Sequence, residues 1–275
     1  MPHSYTTEEL SEFFFEMLDQ FNERLDTDMR RDNVVLAFFV PENGAAVYEQ
    51  FCKAYFPKHL SEPYKQEGYF ETFAAQAFVS DTQYGVLIRS DIDVTLGEVL
   101  RIFLHEISHL FCIKNEVTGG HFFDQYCMRS GIEDGMMNAG YAIWREVIAD
   151  IMADSIISEY AQISLSTVKE IIQELYGELS ADNPNSQKAM SLIIVYVMIS
   201  AEVAGTKDWK TAEKAIQKAR IIEEQLLISI LKQVFEQIHR KPSWKITPEF
   251  IMTLGETYLS LLAHMTFRRV LEDTN

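Results

Sequence analysis

Thr95-Leu-Gly-Glu98-Val-Leu-Arg101-Ile-Phe-Leu-His105-Glu106-Ile-Ser-His109-Leu-Phe-Cys112-Ile113 is the stretch from which the rest of the chain is read. Thr95 followed three residues later by Glu98 has the form of a capping box, in which side chain and backbone at a helix start satisfy each other's donors. No proline interrupts the run from there to Ile113, and Leu100, Phe103, Leu104, Ile107, Leu110 and Phe111 supply the apolar stripe of a buried helix. His105 and His109 stand four residues apart, so they share one face of that helix and both imidazoles can reach one metal ion. Glu106 is the only charged residue between Ile102 and Phe111. Two histidines and a carboxylate in so apolar a helix would each cost several kcal/mol if buried without partners, and a metal satisfies all three. The pattern is that of a zinc hydrolase: two nitrogen ligands, and a carboxylate placed to serve as general base toward water activated by the metal.

A catalytic zinc takes three protein ligands as a rule and leaves the fourth position to water. The third candidate lies in Tyr141-Ala-Ile-Trp-Arg145-Glu146-Val-Ile-Ala149-Asp150-Ile-Met-Ala-Asp154, a second segment of helical period. Glu146, Ala149, Asp150 and Ala153 fall on one face, and the alanines allow close approach to the His105–His109 helix. Glu146 is then the third ligand. Asp150, one turn on, can hold a ligating imidazole by its other N–H, a contact that zinc histidines almost always make. The alternatives are that Glu146 and Asp150 form a solvated helix face beside Arg145, or that Glu116, His121, Asp124, Glu133 or Asp134, read as an intervening loop, supplies the ligand. His121 follows Gly119-Gly120 on that segment and is a candidate for transition-state stabilisation or substrate contact.

HExxH followed by Glu146-x-x-x-Asp150 on a second helix resembles the gluzincin metallopeptidases, the thermolysin-like clan, and more distantly the ImmA/IrrE-type zinc peptidases. The resemblance covers roughly Thr95 to Asp154. It implies His105, His109 and Glu146 as zinc ligands, Glu106 as general base and Asp150 as the carboxylate orienting a ligand. The gap from His109 to Glu146 is longer than in thermolysin. The metzincins are excluded, because the position six residues after His109 is Asn115.

Composition bounds the rest. The chain has 275 residues, 47% of them hydrophobic, enough to bury a sizeable core. No apolar run approaches the 18 or more residues of a membrane span, and the first residues lack the basic-then-apolar pattern of a signal peptide. Cys52, Cys112 and Cys127 form no CxxC pair, which fits a reducing, cytoplasmic setting. The net charge of −17 is unevenly placed: residues 1–160 hold 11 Lys+Arg against 27 Asp+Glu, residues 161–275 hold 13 against 14. An acidic half of this kind disfavours nucleic acid and favours a peptide or protein substrate that is basic, while also serving solubility.

Along the chain, Thr7 to Leu25 reads as an amphipathic helix, Asn33 to Val40 as a strand ended by Pro41, and Gly44 to Phe56 as a helix ended by Pro57. Tyr69 to Ser80 and Tyr84 to Ser90 read as a hairpin. Beyond residue 160 the pattern is helical: a start at Ser166 or Thr167, an apolar helix from Gln187 to Val203, a long one from Trp209 to His239, and a last one opened by Thr247-Pro248-Glu249 and running through Leu271. The expected architecture is α+β, mostly helical: a zincin-like domain over residues 1–160 with a small sheet, and a helical C-terminal domain over residues 161–275. The expected function is a zinc-dependent metallopeptidase. The alternative is a zincin-like module that binds or regulates a partner with little or no turnover.

Overall fold

The computed structural model describes residues 5–60, 65, 67–115, 117, 120–127, 131–157, 173–178, 210, 225–239 and 246–273. The architecture is α+β and mostly helical, with a three-stranded sheet. Helix α1 spans Thr7–Leu25, β1 Val34–Phe39, α2 Gly44–Tyr55, β2 Ala75–Val79, β3 Tyr84–Arg89, α3 Leu96–Lys114, α4 Gly120–Tyr126, α5 Ile132–Ile157, α6 Gln225–His239 and α7 Pro248–Asp273. Contacts divide the chain into two compact units, residues 1–115 with 149–161 and residues 116–148 with 162–275. The dividing point therefore lies inside α5, between Ile148 and Ala149. The boundary expected after residue 160 lies outside the described residues, as do the helix expected from Gln187 to Val203 and most of the start of the one expected from Trp209.

In the first unit the sheet order is β1-β3-β2, with β3 parallel to β1 and antiparallel to β2. The β2–β3 hairpin is the one expected, but its first strand begins at Ala75, because Tyr69–Glu71 is a 3-10 turn entered through Gly68 at φ +77°. As the central strand, β3 loses its polar alternation: Gly85, Val86, Leu87 and Ile88 are all buried. One face of the sheet carries an aromatic cluster, Phe39, Tyr48, Phe51, Phe56, Phe70 and Phe78, with Phe73 at its margin. Its ring centroids lie 5.2–6.1 Å apart in mostly edge-on or tilted pairs, such as Phe39–Phe70 at 5.5 Å and Phe51–Phe78 at 5.5 Å, the separations at which aromatic quadrupoles attract.

Helix α3 follows β3 after six residues. Its start is the capping box read from the sequence: the Glu98 amide donates to Thr95 Oγ1 at 3.4 Å and the Thr95 amide to Glu98 Oε2 at 2.7 Å. The helix packs against β2 and against α1, where Phe14 meets Phe103 at 5.5 Å and Phe21 meets Phe111 at 5.6 Å. Phe103, Leu104, Ile107 and Leu110 are fully buried. The apolar stripe thus anchors α3 on both neighbours and fixes the turn that carries the two histidines.

In the second unit α5 and α7 cross at two glycines. A methyl group on Gly255 would lie 1.8 Å from the Met136 carbonyl oxygen, and one on Gly140 would lie 2.0 Å from the Ile251 carbonyl oxygen, so only glycine permits this approach of backbone to backbone. Trp144, fully buried on α5, stands edge-on to Phe250 of α7 at 5.4 Å. Helix α7 starts as expected, with the Phe250 amide donating to Thr247 Oγ1 at 3.2 Å and Pro248 at the first helical position. Among the described residues no helix is long and apolar enough to cross a membrane.

Candidate metal centre

His105 and His109 lie on the buried side of α3, with His109 only 7% exposed and His105 partly so. Their rings stand almost perpendicular, centroids 4.5 Å apart, and their Nε2 atoms approach to 2.9 Å. The other nitrogen of His105, Nδ1, is 2.6 Å from Asp150 Oδ1. An ionised carboxylate only accepts hydrogen bonds, so this contact places the His105 proton on Nδ1 and leaves a lone pair on Nε2. Asp150, expected from the sequence to orient a ligand imidazole, is thus brought against His105. Asp150 is itself 8% exposed, and the Arg101 guanidinium lies 3.6 Å from the same Oδ1. Arg101 stands one turn before His105, so α3 meets this carboxylate with two side chains of one face.

Glu146 completes the cluster. One ligand atom each from His105, His109 and Glu146 lie within 4.8 Å of one another, a grouping that could hold a metal ion. Because α5 is continuous from Ile132 to Ile157, Glu146 sits one turn before Asp150 on the same helix, and both carboxylates are delivered by one element. The donor set fits a divalent ion of the zinc type. Two nitrogens each about 2.0–2.1 Å from one zinc ion lie about 3.3 Å apart at a tetrahedral angle, a few tenths of an ångström beyond the observed Nε2 separation, and imidazole with carboxylate is a usual zinc set.

Glu106, one position along from His105, is 7% exposed and is not among the three grouped donors. Cys112, three residues past His109, is fully buried with its Sγ 3.5 Å from Met152 Sδ, and burial pushes its thiol up to about 12. It keeps its proton and packs as a small core residue.

The segment between His109 and Glu146 departs from expectation. His121 and Asp124 stand on helix α4, and Glu133 and Asp134 fall in the first turn of α5, where acidic side chains suit the helix dipole. It is largely helical and not one long loop. The Asp134 carboxylate accepts from Asn138 Nδ2 at 2.9 Å, a contact within its own helix. Glu116 and the side chains of His121 and Asp124 lie outside the described residues. Two partners escaped the sequence reading: Arg101 on Asp150, and the bonds from Arg145 Nε and Nη2 to Glu146 Oε1 at 3.0 and 2.7 Å. Helical spacing signals Arg101, four residues before His105. The reading of Arg145 as a neighbour on a solvated face named the residue without these bonds.

Compared with protein-family models, with curated proteins and with solved structures, the chain finds no match. The resemblance to gluzincins therefore stands on these residues alone.

The contact between Asp150 and His105 is open to a direct test. Asp150→Asn is expected to weaken zinc binding by about 10- to 100-fold, the range found when the outer partner of a ligand histidine is lost. Chelator competition on folded protein measures it, and an unchanged affinity would show that His105 needs no such support.

Proposed function

We propose that the protein is a zinc-dependent metallopeptidase, with His105, His109 and Glu146 as ligands and Glu106 as general base. The observation that carries this reading is the convergence of the three donors within 4.8 Å while the second nitrogen of His105 is held by Asp150. Zinc bound there would supply Lewis acidity, lowering the pKa of water toward neutrality and polarising a carbonyl oxygen. The protein's own part is to hold and move protons. Asp150 keeps the His105 proton on Nδ1, so that Nε2 faces the centre. Glu106 accepts a proton from the attacking water and delivers it to the departing amine, which must leave as a neutral amine to leave at all.

The edge position of β2 next to α3 supports a peptide as substrate, since an added strand gains main-chain hydrogen bonds without requiring a particular sequence. The acidity of residues 1–160 supports a basic peptide. The buried cysteines support a reducing, cytoplasmic setting.

The test is metal content together with cleavage. Wild type reconstituted with zinc is expected to hold one ion per chain and to cleave members of a broad peptide library, and His105→Ala to lose both. A stoichiometry near zero in wild type, or unaltered binding in the variant, would remove the site. Full zinc occupancy without cleavage of any peptide would instead favour the partner-binding module.

A further inference from the structure

We propose that His59 is a positioning residue that closes one end of the β2 edge, so that a bound peptide pairs with Ala75 and Ala77 in a single register; this rests on the peptide-substrate reading given above and says where such a peptide lies. The phase of the strand decides which main-chain groups face outward. The Arg89 amide donates to the Ala74 carbonyl and the Ser80 amide to the Gln83 carbonyl, each at 2.8 Å. Both pairs continue the register that sets Ala75 against Ile88 and Val79 against Tyr84. Hydrogen-bonded pairs alternate along an antiparallel ladder. Ala74, Gln76, Phe78 and Ser80 therefore bond toward β3, while Ala75, Ala77 and Val79 turn their N–H and C=O groups away from it.

As the outer strand, β2 leaves the outward groups of Ala75 and Ala77 with no partner among the described residues. Val79 differs. Its carbonyl stands 2.9 Å from His59 Nε2; a carbonyl only accepts, so the ring donates there, at the distance a strand amide would take. His59 is itself held in place. It ends the 3-10 turn Pro57–His59 that follows α2, its carbonyl accepts from the buried Tyr48 hydroxyl at 2.8 Å, and its ring stands edge-on to Phe78 at 5.7 Å. An edge guarded against self-pairing is covered along its length or carries charge or proline. Here the cover falls on one carbonyl, and the stretch Ala75-Gln76-Ala77 carries neither. Pairing is confined to two N–H and two C=O groups, the share of about three extended residues. Helix α3, which carries His105 and His109, packs against this same strand. The excess of Asp and Glu over residues 1–160 favours an occupant with basic side chains.

The experiment uses the zinc-loaded full chain carrying Glu106→Gln, so that bound peptide survives, with His59 kept or changed to Ala or Gln and each melt checked first. Glutamine can still donate an N–H to the Val79 carbonyl; alanine cannot. The probes are a seven-residue peptide alternating lysine and valine, blocked at both ends, and its three-residue counterpart. Two properties are read: the amide signals of protein labelled with nitrogen-15 at alanine and valine, and the affinity ratio of the two peptides. With His59 present, the long peptide is expected to shift the Ala75 and Ala77 amides and leave that of Val79 in place, and the two peptides to bind alike. In His59→Ala the Val79 amide is expected to shift as well, and the long peptide to gain about tenfold over the short one, the net worth of one or two hydrogen bonds. His59→Gln is expected to behave as wild type. A Val79 shift with His59 present, an unaltered ratio in His59→Ala, binding that leaves Ala75 and Ala77 unmoved, or no binding of either peptide would each overturn the proposal. Any of these in a protein that holds zinc and, with Glu106 intact, cleaves library peptides defeats this inference alone; absence of zinc and cleavage defeats the peptidase reading beneath it.

Discussion

Glu106→Gln is expected to retain zinc and the native fold while losing peptide hydrolysis by about two to four orders of magnitude, the usual contribution of a positioned acid–base group. Glutamine has the shape of glutamate and still accepts a hydrogen bond, so packing of the 7% exposed side chain is preserved. What it lacks is a basic oxygen at neutral pH. Because Glu106 is outside the three grouped donors, zinc stoichiometry is expected to stay at the wild-type value. The comparison is kcat on one cleaved peptide, alongside metal content and thermal melt for both proteins. If the glutamine variant cleaves as well as wild type, Glu106 is not the base. If it loses zinc, Glu106 belongs to the ligand set and the assignment of Glu146 must be reopened.

The largest expected effect on stability lies at the crossing of α5 and α7. Gly255→Ala would bring a methyl group to 1.8 Å from a backbone oxygen, and the nearest obstructing atoms are main chain on both sides. A flexible side chain can swing aside; a helix carbonyl cannot, so the two helices must separate. Overpacking of a core costs about 1–3 kcal/mol and occasionally more, and this contact belongs at the upper end. With about 2–4 °C per kcal/mol for a chain of this size, Tm is expected to fall by roughly 10 °C. Gly140→Ala is expected to behave alike. Gly135→Ala on the same helix meets nothing within 4 Å and is the control, expected to be neutral or slightly stabilising because alanine favours helix. Equal melting of Gly255→Ala and wild type would mean that the close crossing is absent in solution.

The two results also show what a sequence discloses and what it withholds. Helix α3 was legible because its information is local. A capping box, an unbroken apolar stripe and an i,i+4 histidine pair are all written within twenty residues, and the structure places Leu96–Lys114 accordingly. Pro41, Pro57 and Pro248 likewise punctuated β1, α2 and α7 at the places expected. The segment after Asn115 was misread as loop. Glycines at 119, 120, 131 and 135 signal breaks, and α4 is only seven residues long, too short for helical periodicity to register. Its Phe122 and Phe123 find support instead from Tyr141, at 5.7 and 5.6 Å, a tertiary contact. The glycine pair at 140 and 255 was invisible for the same reason, since a missing side chain acquires meaning only when another backbone lies against it. At the site, residue types and helical faces gave Glu146 and Asp150, but which partner each carboxylate takes is set by rotamers, which no spacing encodes.

The burial of the cysteines has a further consequence. Thiolates hold many protein-bound zinc ions, and oxidation of such ligands expels the metal. Here the donor set is nitrogen and oxygen throughout, and Cys112, the thiol beside it in sequence, is sealed in the core with its proton held up to about 12. Cys127 is raised to about 11 by its own burial. Since only the thiolate reacts readily with peroxides or disulfides, a metal at this centre would be insulated from the redox state of its surroundings. Peroxide at levels that empty a thiolate site should leave its occupancy unchanged.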